Sequence, residues 1–279
     1  MERPFSASYT ATMQDTAAQP RDVGHHIREW RQRRRMTQLG LALDAEISAR
    51  HLSFLETGKA QPSREMVLHL CERLDVPLRE RNILLIAAGY APVFAQRRLD
   101  DPALKPALTA VEQLLGGHEP YPALAIDRAW TMVSANRAVA SLLAGLPASL
   151  LKPPLNVLRL SLHPEGLAPR IANLPEWRAH LLHRLRLQIE VTADPGLETL
   201  MKELRGYPTP ISRAPTAPDK FGGVVVPLQL VTEAGKLSFL STTTVFGTPV
   251  DVTVSELAIE SFFPADDATV RALQKIVPR

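Results

Sequence analysis

The stretch from Asp22 to Ser63 constrains this chain most, because it contains three short helical patterns separated by turns. The first pattern has apolar residues at helical spacing, namely Val23, Ile27 and Trp30. It predicts a helix that ends near Arg35. Thr37 and Ser48 are placed to cap the second and third helices with their hydroxyl groups. Residues 44–47 would turn the chain between those two helices, so the stretch predicts a compact helix-turn-helix.

The third predicted helix carries an outward row of side chains that is typical of DNA recognition. The major groove admits one helix, and residues near the start of that helix reach the base edges. Arg50 could bind guanine through two hydrogen bonds, while Ala49 and Ser53 suit smaller contacts. Gln38 and Lys59 stand at helix ends, where phosphate contacts are expected. The predicted DNA-contacting residues are Arg34, Gln38, Ser48, Ala49, Arg50, Ser53, Thr57 and Lys59. The alternative is a solvated helical hairpin, which the agreement of caps, turn and arginines argues against.

The segments TQLGLALDAEIS and RHLSFLETGKAQPS resemble the XRE or phage-repressor class of helix-turn-helix domains. Residues 55–59 match the usual Leu-Glu-x-Gly-Lys close of that class, and Gly58 is expected to end the third helix in a left-handed conformation. The class often has glycine in the turn where this chain has Glu46, so we expect a strained backbone angle there or a turn of different construction. The resemblance implies an all-α, five-helix, lambda-repressor-like domain over residues 21–95 that binds double-stranded DNA.

The positive charge of the chain is concentrated in this same region. The formal net charge is +3, yet residues 21–64 carry nine Arg or Lys against five Asp or Glu. Residues 1–20 carry a net −1, and residues 65–279 carry 22 of each sign. A polyanionic partner is therefore expected for the helix-turn-helix and not for the remainder.

Length and composition indicate a two-domain protein of the cytoplasm. At 279 residues the chain exceeds the usual size of one domain. Cys71 is the only cysteine, which excludes an intramolecular disulfide, and its apolar surroundings predict a small buried side chain. Residues 1–20 are small and polar, typical of a disordered tail rather than a signal peptide. No apolar run of 18 residues is present that could span a bilayer.

The rest of the chain predicts a mixed α+β domain after a short linker. Two helices would complete the first domain, namely Arg64–Leu74, which Pro77 ends, and Leu78–Ala88, which Gly89 ends. A proline-punctuated linker is expected at residues 96–106, and a second domain at residues 107–279.

The second domain should contain a mainly antiparallel sheet with helices packed against it. The predicted strands are Tyr121–Ile126, Trp130–Ser134, Val224–Val231, Leu237–Phe246 and Leu257–Phe263. The predicted helices are Ala107–Leu115 (closed by Gly116 and Gly117), Asn136–Leu146, Asn156–Leu162, Glu176–Val191, Pro195–Leu204 and Asp266–Ile276. Pro208–Pro218 is expected to be an extended surface loop.

Four segments of this domain resemble the MmyB-like ligand-binding domain that follows an XRE-type domain in a family of bacterial regulators. They are PALAIDRAWTMVSANRA, NVLRLSLHPEGLAP, HLLHRLRLQI and LSFLSTTTVFGTPVDVTVSELAIESFFPAD. The resemblance implies a PAS-like fold with a hydrophobic pocket for a small apolar molecule. A fatty acid is the ligand type associated with that family, and no spacing in this chain indicates it.

The candidate ligand-contacting residues are mostly large and apolar, and most of them should be plain core. They are Trp130, Met132, His163, Trp177, Leu181, Phe239 and Phe246. We expect two or three of the six apolar ones to contact ligand, and a loop histidine bonding backbone is the preferred interpretation of His163. A ligand carboxylate could meet Arg159, Arg184 or His163, although solvated side chains are the simpler interpretation. His180 and His183 are three apart on one helix but lack a third ligand, so no metal site or resident cofactor is expected.

Together these patterns predict a ligand-responsive transcription regulator that binds its operator as a homodimer. The alternative is a helix-turn-helix protein whose second domain binds a protein partner. A large exposed apolar patch would favour that alternative, and an enclosed apolar cavity would favour a small-molecule sensor. No nucleophile elbow or phosphate-binding loop is present, and we expect no enzymatic activity.

Overall fold

The computed structural model describes residues 22–208 and 225–276, which form two compact units. The first unit comprises residues 22–76 and 80–92, and the second comprises the other described residues. The predicted division into an all-α N-terminal region and an α+β region is confirmed.

The predicted linker at residues 96–106 and the predicted domain bounds stay predictions. Residues 96–106 fall within the second compact unit. Their neighbour Ala95 accepts a 2.8 Å hydrogen bond at its carbonyl from the backbone N–H of Val252. The predicted disordered tail at residues 1–20 lies outside the described part of the chain.

Five helices make up the N-terminal region of the described chain. They are α1 (Val23–Arg33), α2 (Gln38–Asp44), α3 (Ala49–Glu56), α4 (Arg64–Arg73) and α5 (Leu78–Ala87). The predicted caps are confirmed, because Thr37 Oγ1 and Ser48 Oγ accept bonds of 2.9 and 3.0 Å from backbone N–H groups three residues on. Helix α1 ends two residues earlier than predicted, since Arg35 is left-handed with φ of 55°.

The turns around α2 and α3 have the backbone that the sequence indicated. Glu46 has a φ of 54°, which confirms the strained angle expected where the class often has glycine. Its left-handed conformation lets Ile47 donate to the Ala42 carbonyl at 2.9 Å, the hydrogen bond of a Schellman motif. Gly58 has a φ of 69° after α3, also as predicted.

The core of the first unit is aliphatic and closely packed. Its fully buried residues include Ile27, Leu41, Leu52, Leu55, Leu70, Leu74, Leu84 and Leu85. Cys71 is buried among them as predicted, and burial raises the pKa of its thiol to about 12. Helices α1 and α3 meet at Gly24, where a Cβ would lie 2.2 Å from the Leu55 carbonyl oxygen. Only glycine allows that approach without displacement.

The second unit contains seven helices and five strands within its described residues. In chain order they are α6 (Lys105–Gly117), β1 (Ala123–Ile126), β2 (Met132–Ala135), α7 (Arg137–Leu143), α8 (Val157–Leu162), α9 (Leu174–Thr192), α10 (Pro195–Gly206), β3 (Leu228–Thr232), β4 (Gly235–Val245), α11 (Val252–Ser255), β5 (Ala258–Pro264) and α12 (Asp267–Ile276). Short 3₁₀ turns occupy Pro102–Leu104 and Ala168–Arg170.

The five described strands form one sheet in the order β2-β1-β5-β4-β3, and each neighbouring pair is antiparallel. Strand β5 sits in the centre, where Glu260 lies opposite Leu124 of β1 and Thr243 of β4. Strands β1 and β2, and likewise β3 and β4, pair as hairpins, in agreement with the mainly antiparallel sheet that was predicted.

The two faces of the sheet are covered differently. One face carries Leu124, Leu230 and Phe239 and belongs to the main core with helices α7 to α10 and α12. The other face carries Ala125 and Ile259, which pack against Val111 and Leu115 of α6. Alternation along each strand sends neighbouring residues to opposite faces.

Several predicted boundaries are corrected. Helix α6 runs through Gly116 and Gly117 instead of ending before them, because neither glycine adopts a left-handed conformation. Strand β3 begins at Leu228, four residues later than predicted, and α11 was not predicted. Of the predicted loop at residues 208–218, all but Pro208 lies outside the described residues.

Candidate functional site

Helix α3 exposes the side chains predicted to contact DNA because its opposite face is buried. Leu52 and Leu55 are fully buried, which fixes the rotation of the helix. Arg50 is consequently exposed, and Ala49 and Ser53 are half-buried beside it. A short, capped helix with a cation near its start has the form that enters a major groove.

An aromatic residue that the sequence interpretation missed stands between two of the predicted contacts. The Cζ of Arg50 lies 5.3 Å from the centre of the Phe54 ring, and the Nζ of Lys59 lies 6.0 Å from it. Phe54 is half-buried, so its ring is a fixed surface that restrains both cations. Its spacing of four residues from Arg50 on one helix was the available signal.

Gln38 and Thr57 make internal hydrogen bonds. The Gln38 Nε2 donates to Glu56 at 2.8 Å, and the Thr57 hydroxyl donates to the Ser53 carbonyl at 2.7 Å. A phosphate contact from the Thr57 hydroxyl would require that bond to be exchanged, because the group has one hydrogen. Their DNA contacts stay predictions.

Arg34 is placed at the end of α4. Its Nε and Nη2 donate to the carbonyls of Leu74 and Asp75 at 2.7 Å each, and its Cζ lies 5.3 Å from the centre of the Trp30 ring. These bonds satisfy carbonyls at a helix C-terminus. The geometry therefore gives Arg34 an internal role that the sequence interpretation missed.

A buried ion pair positions α3 against α1 and α2. Arg31 Nε and Nη2 donate to the two carboxylate oxygens of Glu56 at 2.6 and 2.9 Å, and Arg31 Nη1 donates to the Met36 carbonyl at 2.8 Å. The hydrogen bond to Glu56 raises the pKa of the Arg31 guanidinium. With Gln38 bonded to the same carboxylate, three helices meet at one charged centre.

A second feature lies inside the other unit, where a cavity of about 100 Å³ opens beneath the sheet. Five of the seven predicted ligand-contacting residues line it, namely Trp130, Met132, Trp177, Leu181 and Phe239. The remaining lining residues are Pro122, Leu124, Val139, Leu142, Leu143, Val157, Leu158, Leu160, Ser161, Leu167, Arg184, Leu228, Leu230, Glu260 and Phe262. The wall is therefore almost entirely aliphatic or aromatic, with a few polar groups.

Trp130 reaches the cavity from a constrained turn between β1 and β2. Its φ is 64°, an unusual conformation for a bulky residue. The Asp127 carboxylate accepts from the backbone N–H groups of Ala129 and Thr131 at 2.8 Å each, which holds the turn. The Trp130 indole donates to Gln188 at 2.6 Å, so the ring is fixed at both ends. Strain of this kind is concentrated at functional sites.

The polar end of the cavity is an ion pair that the sequence interpretation did not find. Arg184 of α9 donates to the two oxygens of Glu260 at 2.6 and 3.1 Å. Thr243 accepts from Arg184 and donates to Glu260, at 2.9 Å in both bonds. The Arg184 Cζ lies 5.0 Å from the centre of the Trp130 ring. A single glutamate within the apolar run of β5 was the available signal, since buried carboxylates need a partner.

Trp177 joins the cavity wall to a histidine. Its indole donates to Ser161 Oγ at 3.0 Å, and its ring stacks on His180 with centres 5.4 Å apart. Burial, and then the charge of Arg184, lowers the pKa of His180. His180 is therefore neutral at neutral pH and serves as packing.

Two predicted residues do not line the cavity. Phe246 packs with the cluster on the opposite face of the sheet. His163 accepts a 3.1 Å bond at Nδ1 from the backbone of Glu165 and meets the Tyr207 ring edge-on, as the preferred loop interpretation expected. Arg159 is bonded to Glu203 and is likewise absent from the lining.

Comparison with protein-family models finds a matching family for each of the two units. A helix-turn-helix domain model matches residues 22–84, and the model described as the MmyB-like transcription regulator ligand binding domain matches residues 108–276. The second match covers more than half of the chain. The chain belongs to the MmyB-like transcription regulators. No curated protein matches it.

The family assignment identifies an XRE-like helix-turn-helix at the N-terminus and an MmyB-like ligand-binding domain at the C-terminus. Such a protein is a transcription regulator with a DNA-binding and a ligand-binding domain, and neither family is enzymatic. Across the described residues, no group of three or more His, Cys, Asp or Glu is arranged to hold a metal ion. None of the described helices is long and apolar enough to cross a membrane.

Proposed function

We propose that this MmyB-like regulator reads a specific operator through α3 and that an apolar molecule in the cavity changes its affinity for that operator. Support for the first part comes from the exposed face of α3 and from its position in the most basic segment of the chain. Arg50 is the proposed base contact, and Lys59 the proposed phosphate contact.

The cavity is the observation that carries the second part. Its walls are formed by side chains from all five described strands and from helices α7, α8 and α9 of the MmyB-like domain, and most of these side chains are apolar. An engineered cavity of roughly 150 Å³ binds benzene, and the space here, at about 100 Å³, is two-thirds as large, so it accepts a smaller apolar group without rearrangement. A longer chain, such as the fatty acid that the family resemblance implies, would require the cavity to widen.

The strand order β2-β1-β5-β4-β3, with helices lining a cavity on one face of the sheet, supports a PAS-like classification of this domain. We further propose that the regulator acts as a homodimer. Two α3 helices about one DNA turn apart would double the base contacts.

The alternative, a protein-binding second domain, would leave the cavity without a role. A large exposed apolar patch would favour that alternative. The cavity favours a small molecule instead, since ligand sites are concave and mostly apolar with a few polar groups.

Duplex selection tests the DNA part. The full chain should enrich a short consensus from random duplexes, and Arg50→Ala should lose the preference at one position of it. Enrichment of no consensus by the wild-type chain would contradict sequence-specific binding.

Cavity filling tests the ligand part. Leu143 ends α7 on the cavity wall and is half-buried, so Leu143→Trp should fill the space and still fold. Native mass spectrometry of gently purified wild type should show a bound small molecule. Alternatively, wild type freed of bound lipid by solvent extraction should bind benzene and C4–C10 alkyl probes. Leu143→Trp should show no bound molecule and bind no probe, whereas Leu187→Trp, on an exposed position of α9, should bind as wild type does. Equal binding by all three proteins, or by none, would contradict the proposal. Val157→Phe is a second filling variant.

A further inference from the structure

The charged end of the cavity restricts the kind of head group that a ligand can carry. Arg184 and Glu260 are the charged residues in the lining, and their charges cancel. Glu260 is only 4% exposed and is held by both Arg184 and Thr243. The inference below rests on the proposed ligand-binding function and concerns the chemistry of that ligand.

An anionic ligand is poorly suited to this end. Its carboxylate would have to share the Arg184 guanidinium, three of whose five N–H groups are already bonded to Glu260 at 2.6 and 3.1 Å and to Thr243 at 2.9 Å. Sharing the guanidinium would place a second anion beside buried Glu260 around a single cation, which is unfavourable where water is excluded. A cationic ligand is equally unsuited, because the Glu260 charge is already neutralised by the Arg184 guanidinium and a second cation would lie beside it.

An uncharged donor fits without breaking these bonds. A carboxylate can accept about four hydrogen bonds. Glu260 accepts two from Arg184 and one from Thr243, so it can take one more from a ligand O–H or N–H. Ser161 also lines the cavity, and its oxygen accepts from Trp177 while its own hydrogen can be donated to a ligand oxygen.

We infer that the cavity binds an uncharged amphiphile, an apolar body with one hydroxyl or amide head, in preference to an ionised carboxylate. Arg184 and Glu260 then act as a specificity-determining pair that rejects charge of either sign. Neutral alcohols, primary amides and hydroxylated metabolites are the matching ligand classes.

Probes with one tail and different heads test this selectivity. Hexanamide and hexanoate have nearly the same shape and differ in charge, and 1-hexanol and hexylammonium form a second such pair. NMR titration of the stripped full chain at about pH 8, where the acid is ionised, should show each neutral probe binding at least about tenfold tighter than its charged counterpart.

Two variants distinguish the effect of the Glu260 charge at the cavity from the effect of removing any paired glutamate in the domain. Glu260→Gln releases Arg184 and should reduce the preference for hexanamide over hexanoate to about threefold or reverse it. Glu203→Gln is the matched control, because Glu203 pairs with Arg159 in the same domain but not at the cavity. It should keep the wild-type preference.

The outcomes distinguish this inference from the proposed function. Hexanoate or hexylammonium binding as tightly as its neutral partner in wild type would overturn the uncharged-head inference while leaving an apolar site in place. Failure of benzene and of all four hexyl probes to bind wild type would contradict the ligand-binding function itself. If Glu260→Gln does not fold, the two wild-type ratios still decide the matter.

Discussion

Replacing Glu56 with glutamine should destabilise the first unit by about 3–5 kcal/mol, because it leaves the Arg31 guanidinium buried without its anion. Arg31 and Glu56 are 8% and 7% exposed, and two hydrogen bonds of 2.6 and 2.9 Å join them. Glutamine keeps the shape of the side chain and one acceptor oxygen. The substitution therefore tests the charge rather than the packing.

Cys71 provides an assay that reports on this unit alone. It is the only cysteine of the chain, it is buried in the first unit, and burial raises the pKa of its thiol to about 12. A disulfide reagent can therefore reach it only when the unit opens. Where opening is fast relative to labelling, the rate follows the open population, so a loss of 3–5 kcal/mol should accelerate labelling by about 10² to several 10³-fold.

Glu29→Gln is the matched control, since it makes the same change in a surface pair of the same unit. Glu29 and Arg33 lie 2.7 Å apart with side chains 32% and 31% exposed, and such helix pairs contribute about 0.3–0.5 kcal/mol. Its labelling should accelerate about twofold. Equal labelling rates in Glu56→Gln and Glu29→Gln would refute the stabilising role of the buried pair.

Three further experiments have defined expected results. Arg50→Ala should cost about 1–3 kcal/mol of binding free energy on the selected duplex and relax the base preference at one position. Lys59→Ala should weaken binding to all duplexes alike and reduce the slope of log K against log salt concentration by about 1. Anisotropy titrations at several salt concentrations distinguish the two effects, and equal, sequence-independent losses of affinity in both variants would contradict the assignment. Gly24→Ala should destabilise the first unit by about 1–3 kcal/mol in the thiol assay, because the new Cβ would lie 2.2 Å from the Leu55 carbonyl oxygen. Burial lowers the folded-state pKa of His180, so the unfolded chain takes up a proton first as the pH falls below about 6.5, and stability is lost. The melting temperature should therefore fall less between about pH 7.5 and 5.5 in His180→Gln than in wild type. Parallel plots of melting temperature against pH for the two proteins would contradict this role of His180.

The sequence predicted the local structure of the first unit well because short-range chemistry decides it. The hydroxyl groups of Thr37 and Ser48 accept hydrogen bonds from backbone N–H groups three residues away. The positive φ angles of Glu46 and Gly58 are each set by a single turn. Arg34 shows the limit of such reasoning. Its partners, Leu74 and Asp75, lie about 40 residues away in sequence, and only the packed helices bring them together.

In the second unit, most of the strands and helices could be predicted but not every side-chain direction. Phe239 and Phe246 are seven residues apart, and the alternation of a regular strand sends residues at odd spacing to opposite faces. The structure accordingly places Phe239 on the cavity and Phe246 in the other cluster. The two-residue period held enough information to separate them before the fold was known.

The polar end of the cavity could not be predicted from spacing. Arg184 and Glu260 are 76 residues apart, and they meet because β5 pairs in the centre of the sheet with Glu260 opposite Thr243. Strand order is a long-range property that no local pattern determines. The sequence gives the glutamate within an apolar strand, and the fold supplies its partner.

The central claim is that occupancy of the cavity alters operator binding. The direct test is the Kd of the full chain for its selected duplex at fixed salt, measured for ligand-loaded and solvent-stripped protein. The two forms of wild type should differ by at least about fivefold, the lower range of allosteric coupling, and Leu143→Trp should give one Kd under both treatments. Equal Kd values for loaded and stripped wild type, or the same difference in Leu143→Trp, would contradict the account.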